Sequence, residues 1–208
     1  MKITILGAGG NIGKRIVAEA ANRNYELNLI TSKELAAFQL KDTKNATTTQ
    51  VDIFDTKSLT ETFKTSDVVI SAYAPPQDNN DLLIEASKSL VKAAKNANTR
   101  LIAIGGAGSL KVADNLLLID APNFPEEYKA IAKSHLTTLE TVYKPEKELN
   151  WTNVSPSAYI FEGERTNTFR ISEDFLIAND KGESAISMED LVMRMYQDMS
   201  FKEISERT

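Results

Sequence analysis

A chain of 208 residues, 42% hydrophobic and 25% charged, suffices for one sizeable core but not for two full domains. A net charge of −5 without a dense Lys/Arg stripe argues against a nucleic-acid partner. The lack of cysteine and the single histidine, His135, exclude disulfides and thiolate chemistry and argue against a metal centre.

The first elements carry the strongest pattern. Met1 to Leu6 reads as a strand, and Ile12, Ile16, Val17, Ala20 and Ala21 mark one face of a following helix. Between them lies Gly7-Ala8-Gly9-Gly10-Asn11-Ile12-Gly13. A strand, a tight glycine turn and a helix present free N–H groups at a positive helix end, which suits a pyrophosphate. The alternative is an ordinary strand-to-helix turn. Because the first strand starts at Met1, no room is left for a signal peptide. No apolar run approaches the roughly 20 residues that span a bilayer. A cytoplasmic protein without membrane contact is expected.

Strands are expected at 26–31, 48–53, 67–72, 100–104 and 150–154. Helical segments are expected at 33–40, at 56–63 with Thr56 or Ser58 near the cap, at 78–97, at 126–143 and at 187–199. This alternation predicts an α/β fold, a Rossmann-type doubly wound parallel sheet with helices on both faces. Residues 1–208 form a single domain in this reading, with a dinucleotide-binding core over 1–155 and a small C-terminal cap over 156–208.

Ligands of open α/β sheets sit beyond the carboxyl ends of the strands. Those ends are the Gly7 turn, Thr31-Ser32, Asp52-Ile53, Ala72-Tyr73-Ala74, Gly105 to Ser109 and Ser155-Pro156-Ser157. At the second end, Ser32 and Lys33 can meet a 2′-phosphate and no carboxylate takes the first position, which favours NADPH over NADH. Asp52 can accept from the adenine amino group or cap its own turn.

The glycine spacing, Asp52-Ile53 and Gly105-Gly106-Ala107-Gly108-Ser109-Leu110 together resemble the atypical short-chain dehydrogenase/reductases with NmrA-like folds. The similarity is greatest to the bacterial proteins provisionally called NADH-flavin reductases. Trp151-Thr152, Ser155-Pro156-Ser157, Gly163-Glu164-Arg165-Thr166, Gly182 with Ser184, and Ile186-Ser187-Met188-Glu189-Asp190 extend it along the whole chain. The resemblance implies NADPH or NADH as cofactor and a small-molecule acceptor, FMN or FAD, beside the nicotinamide. By its pattern Gly7, Gly10, Asn11, Ile12 and Gly13 hold the pyrophosphate. Ala72, Tyr73 and Ala74 border the nicotinamide-side ribose, and Pro156 borders the nicotinamide, with Gly105 at the neighbouring strand end. NADPH-using relatives often carry arginine where this chain has Ser32, a departure that weakens the phosphate contact.

Carbonyl-reducing short-chain dehydrogenases use Tyr-x-x-x-Lys on one helical face. Here Tyr128 is followed four residues on by Ala132, while Tyr143 and Lys147 straddle Pro145 at a helix end. That dyad is therefore not expected. Flavin reduction does without it, since the cofactor carries the chemistry and the protein orients. Candidate catalytic groups are Ser109, polarising the acceptor or capping a turn, and His135 with Tyr128, seven positions apart on one helical face. Tyr73 with Pro75, Ser157 and Arg165 are candidate acceptor contacts. Arg165 also reads as a partner of Asp190 that fixes the tail, and Trp151 reads as core. The expected function is hydride transfer from NAD(P)H to a flavin or quinone-like acceptor by a monomer or homodimer. The alternatives are a non-enzymatic dinucleotide sensor of the NmrA type and a reductase or isomerase of a carbonyl metabolite.

Overall fold

The structure, a computed structural model, describes residues 1–31 and 45–200. The expected helical segment 33–40 lies outside the described residues, as do Ser32 and Lys33. Two compact units divide the chain: residues 1–104 with 137–153, and residues 105–136 with 154–208.

In the first unit β1 (Lys2–Leu6), β2 (Glu26–Thr31), β3 (Ala46–Gln50), β4 (Val68–Ser71), β5 (Arg100–Ile104) and β8 (Trp151–Val154) form one sheet in the order β3-β2-β1-β4-β5-β8. β1 pairs in parallel with both β2 and β4, and β2–β3 and β4–β5 are also parallel. The amides of Leu101 and Gly105 donate to the carbonyls of Asn150 and Val154, the evenly stepped pattern of a parallel β5–β8 pair. This is the Rossmann-type sheet that the alternating pattern predicted. Strand order reverses between β1 and β4, so the topological switch point falls where β1 enters the Gly7 turn.

The helices of this unit are α1 (Asn11–Asn22), α2 (Thr56–Phe63) and α3 (Leu82–Ala97). The apolar faces of α2 and α3 meet the strands in a core that includes Leu6, Ile30, Leu59, Phe63, Leu90 and Leu101, and α1 buries Ile16, Val17 and Ala20. Tyr143 and Trp151 join that core with ring centroids 5.5 Å apart, and the Trp151 indole N–H donates to the Glu146 carbonyl. The tryptophan is a packing residue with its one polar atom satisfied.

Several boundaries differ from the sequence pattern for local reasons. β3 occupies 46–50 rather than 48–53, because Asp52 turns the chain by accepting from the Phe54 amide. α2 is capped by Asp55, which accepts from the amides of Lys57 and Ser58 and from the Ser58 hydroxyl. Thr56 and Ser58 thus sit inside the helix whose cap they were expected to supply. α3 starts at Leu82, four residues late, because Pro76 and Asn79 accept the amides of Asn79 and Leu82 in successive turns. It ends at Asn98, which adopts a left-handed φ of 51°. The helix expected over 126–143 is α4 (Glu126–Thr138) continued by a wider π-helical turn, Leu139–Tyr143.

The second unit holds short elements with no clear periodicity: the hairpin β6 (Lys111–Ala113) and β7 (Leu116–Leu117), and the parallel pair β9 (Tyr159–Phe161) and β10 (Ala185–Ser187). α5 (Met188–Ser200) follows β10 directly and buries Leu191, Val192, Met195 and Tyr196.

Candidate functional site

At the switch point, Gly7 turns with a left-handed φ of 74°, which L side chains avoid. A Cβ there would lie 2.3 Å from the Ala72 carbonyl oxygen, so β1 leaves the sheet pressed against the end of β4. A Cβ on Gly13 would lie 2.0 Å from the Gly7 carbonyl oxygen, so α1 is packed onto the turn that precedes it. The turn closes with the Gly10 amide donating to the Gly7 carbonyl at 3.0 Å. Gly10 is exposed at the N-cap of α1, where no side chain caps the helix and no acidic residue occupies the first turn. Asn11 is exposed and Ile12 half-buried. The end of α1 therefore offers uncapped amides and no competing negative charge, an arrangement that fits a pyrophosphate.

The other strand ends of this unit lie as the topology requires. The Ala72 amide donates to the Leu6 carbonyl, extending β4 one residue beyond its last strand position. Ala72, Tyr73 and Pro75 are half-buried and Ala74 is exposed. Burial raises the Tyr73 phenol pKa above its usual value, and the charge on Asp52 adds to the shift. Asp52 and Tyr73 thus interact across the ends of β3 and β4. One Asp52 oxygen holds the Phe54 amide, which realises the turn-capping reading. Ile53 packs against the core.

In the second unit, Gly105 is buried and donates to the Val154 carbonyl, joining the two strand ends that carry the glycine-rich turn and Ser155-Pro156-Ser157. Ser109 ends a single 3-10 turn and donates its hydroxyl proton to the Gly106 carbonyl at 3.1 Å. Its oxygen lies 3.5 Å from that of Ser155. While the Gly106 bond holds, Ser109 has lone pairs to offer rather than a proton, so turn capping is the role its geometry shows. Pro156 is buried and Ser157 half-buried.

His135 is half-buried on α4 and rests on Gly106, where a Cβ would lie 3.0 Å from the His135 Cβ and Cγ. Burial pushes its pKa down to about 4, so the imidazole is neutral at physiological pH. Tyr128, one face-repeat earlier, is 58% exposed. The two positions share a helical face in projection but not an environment. Tyr143 is buried, and burial pushes its phenol up to about 12 against a hydrogen bond with Ser87. The Tyr143/Lys147 spacing is therefore a core tyrosine beside an exposed lysine, not a proton-transfer dyad.

The tail motifs meet one another. Asp190, 4% exposed, accepts from the Thr166 amide, the Thr166 hydroxyl and the Asn167 amide at 2.6–2.9 Å. Ser187 donates its hydroxyl to the Glu164 carbonyl and accepts from the Asp190 amide, and Glu189 accepts from the Gly163 amide. Arg165 donates to the Asn167 side-chain oxygen at 2.7 Å. Where the sequence suggested an Arg165–Asp190 pair, the carboxylate holds the backbone on either side of the Thr166–Asn167 bond. The roles of Ser187 and Glu189 escaped the sequence reading, although Ser187-x-x-Asp190 ahead of an apolar run is the signature of a helix cap.

Among the described residues no group of three or more His, Asp or Glu is placed to hold a metal ion, and no helix is long and apolar enough to cross a membrane.

Comparison with known proteins agrees with this geometry. A Burkholderia pseudomallei structure provisionally named an exported protein is 35% identical, with a TM-score of 0.85 over 98% of this chain and 95% of that one. A Bacteroides thetaiotaomicron structure provisionally named an epimerase is 28% identical, with a TM-score of 0.89 over 97% and 92%. A Streptococcus pneumoniae structure provisionally named an NADH-flavin reductase is 29% identical, with a TM-score of 0.86 over 96% and 93%. The family described as NAD(P)H-binding matches residues 7–195, from the first glycine of the turn to the apolar face of α5. The chain belongs to this NAD(P)H-binding family.

Proposed function

We propose that this protein is an NAD(P)H-dependent reductase of a small planar acceptor, a flavin or a quinone-like compound, acting in the cytoplasm. The observation that carries the reading is the uncapped N-terminus of α1, with Gly7 and Gly13 in backbone-to-backbone contact around it. The bound nicotinamide supplies a hydride, which with one proton from water reduces the acceptor by two electrons.

The protein's own part is binding and orientation. Gly10, Asn11, Ile12 and Gly13 present amides to the pyrophosphate, and Asp52 and Ile53 border the adenosine end. Ala72, Tyr73 and Ala74 line the nicotinamide-side ribose. In the second unit Gly105, Pro156 and Ser157 flank the nicotinamide and acceptor. Neutral His135 supports the glycine turn that carries Ser109, and Tyr73, Pro75 and Arg165 meet the acceptor. The buried Tyr143 and the alanine four residues after Tyr128 favour this minimal chemistry over a tyrosine-dependent carbonyl reduction. The name of the Streptococcus pneumoniae neighbour points the same way.

The test is loss of nicotinamide absorbance from NADPH and from NADH with FMN, FAD or a small quinone, with Gly10→Asp as control. Turnover with a planar acceptor that vanishes in the control is expected, and NADPH is the expected better donor. Tight cofactor binding without turnover on any acceptor would overturn the reductase reading in favour of a sensor. Cell fractionation that recovers the protein outside the cytoplasm would overturn its location.

A further inference from the structure

We infer that Tyr159 and Phe161 form an aromatic wall on which the ring system of a planar acceptor stacks, with Ala185 as the floor beside it. This inference rests on the reductase reading above.

Large apolar rings are usually covered, yet Tyr159 is 65% exposed and Phe161 37%. Both project from one face of β9, and their rings stack with centroids 5.8 Å apart and planes 18° from parallel. Tyr159 pairs with Ala185, Ile160 with Ile186 and Phe161 with Ser187. The two isoleucines share the opposite, half-buried face, so on the aromatic face β10 presents only a methyl and a hydroxymethyl group. The result is a notch, with a wall of rings on β9 and a low floor on β10.

One end of the notch is filled by the chain itself. A Cβ added at Gly163 would lie 2.9 Å from Cε2 of Phe161 and 3.1 Å from Cβ of Ser187. Space remains at Tyr159, over the exposed Ala185. The wall is also fixed at that end. Buried Ser184 accepts the Ala158 amide with its hydroxyl at 3.2 Å and the Tyr159 amide with its carbonyl at 3.0 Å.

The chain brings an acceptor to this notch. Tyr159 follows Ser157 by two residues, so their Cα atoms lie no more than about 7 Å apart, well within the span of a flavin ring system. Ser155, at the same strand end, lies 3.5 Å from the Ser109 hydroxyl of the glycine-rich turn. The wall thus continues the strand end at which open α/β sheets receive ligands. A flat heteroaromatic ring gains from offset stacking on such a face, and a tyrosine loses little freedom in holding it. A second copy of the chain fits less well, since two part-exposed rings fall far short of the roughly 800 Å² per partner that a stable dimer buries.

The experiment titrates the full-length protein with riboflavin in the presence of oxidised nicotinamide cofactor. Fluorescence anisotropy gives the binding constant, and the intensity of the bound flavin gives the stacking signature. A tyrosine in contact with an excited flavin quenches it by electron donation, whereas phenylalanine does not. Bound riboflavin should therefore be strongly quenched in the wild type. Tyr159→Phe should bind within about twofold of the wild type but lose most of the quenching. Tyr159→Ala should bind roughly tenfold or more weakly while melting with the wild type, and Phe161→Leu should lose less. Wild-type affinity and quenching in Tyr159→Ala would overturn the inference, as would a wild type that binds no riboflavin. A dimer split by Tyr159→Ala with riboflavin affinity unchanged would give the face to a second copy instead. Riboflavin bound with the stacking signature but never reduced would sink the reductase reading and leave the wall. Turnover unchanged in Tyr159→Ala would sink the wall and leave the reading.

Discussion

The glycines of the two units do different work. In the first unit, Cβ atoms added at Gly7 and Gly13 would strike carbonyl oxygens at 2.3 and 2.0 Å, backbone against backbone. In the second, a Cβ at Gly106 would meet the His135 side chain at 3.0 Å. A carbonyl in a strand end or helix turn cannot move without breaking hydrogen bonds, whereas a side chain can change rotamer. The first unit therefore holds its turn by contacts that cannot yield, and the second by contacts that a second substitution relieves in part, since the His135 Cγ and Cδ2 can leave while its Cβ moves only with α4.

Gly13→Ala tests that contrast at its most rigid point. The added methyl would have to displace the Gly7 carbonyl and with it the turn that closes on Gly10. Overpacking of this kind costs about 3 kcal/mol or more, and no side-chain truncation nearby should restore it. Chemical denaturation should show the loss, and nicotinamide binding should fall below detection. A folded Gly13→Ala protein with normal cofactor affinity would refute the backbone-contact account.

The second unit should show its own signature in pH. His135 has its folded pKa pushed down to about 4, below the ordinary value of 6.5, so the unfolded chain takes up its proton first as pH falls. The stability from keeping the imidazole neutral is complete above about pH 6.5 and is lost progressively down to about pH 4. At most it amounts to about 3 kcal/mol. His135→Leu should flatten that part of the stability–pH curve. An unchanged curve in that variant would show that the titration belongs to other groups.

Gly106→Ala should be milder, about 1 to 2 kcal/mol, because the new methyl would meet His135 at 3.0 Å rather than a carbonyl at 2.0 Å, and the imidazole ring can turn aside. The double variant Gly106→Ala/His135→Ala removes the Cγ and Cδ2 contacts and leaves the one to the His135 Cβ, so it should cost somewhat less than the sum of the singles. Strict additivity in that cycle would contradict the relief that the geometry implies.

These effects also separate what the sequence made legible from what it did not. β2 and β5 appear at the residues expected, 26–31 and 100–104: β5 writes itself as the apolar run of a buried parallel strand, and β2 as Leu27, Leu29 and Ile30 between polar ends. The glycine turn was legible because at Gly7 and Gly13 only glycine satisfies its sterics. Hidden was a feature made by side chain to backbone bonds: Asp55 rather than Thr56 or Ser58 caps the start of α2, whereas the turn-capping of Ser109 was one of the two readings its place in the sequence allowed. β9 and β10 were missed because three-residue strands are too short to carry a period. Asp190 was noticed but paired with a charge, since a carboxylate in sequence suggests a salt bridge, whereas a buried one is as readily satisfied by amides.

Gly10 gives the smallest effect, and for that reason the sharpest view of the cofactor. Its backbone, with φ −74° and ψ 171°, is open to any residue, and the nearest atom to an added Cβ is the Gly7 oxygen at an ordinary 3.4 Å. Two opposing terms then act on Gly10→Ala. Alanine is a poorer N-cap than glycine, while fewer unfolded conformations favour it, so the net change in stability should stay within about 0.5 kcal/mol. Gly10→Asp supplies a side chain able to cap α1 and should be equally folded. Cofactor affinity should part the two variants, because the aspartate places a negative charge and a competing acceptor where the pyrophosphate oxygens would take the amides. Binding should weaken modestly in Gly10→Ala and be lost in Gly10→Asp, with both melting near the wild type. Equal affinity in the two variants would mean that the α1 terminus does not meet the pyrophosphate, whatever the glycine pattern suggests.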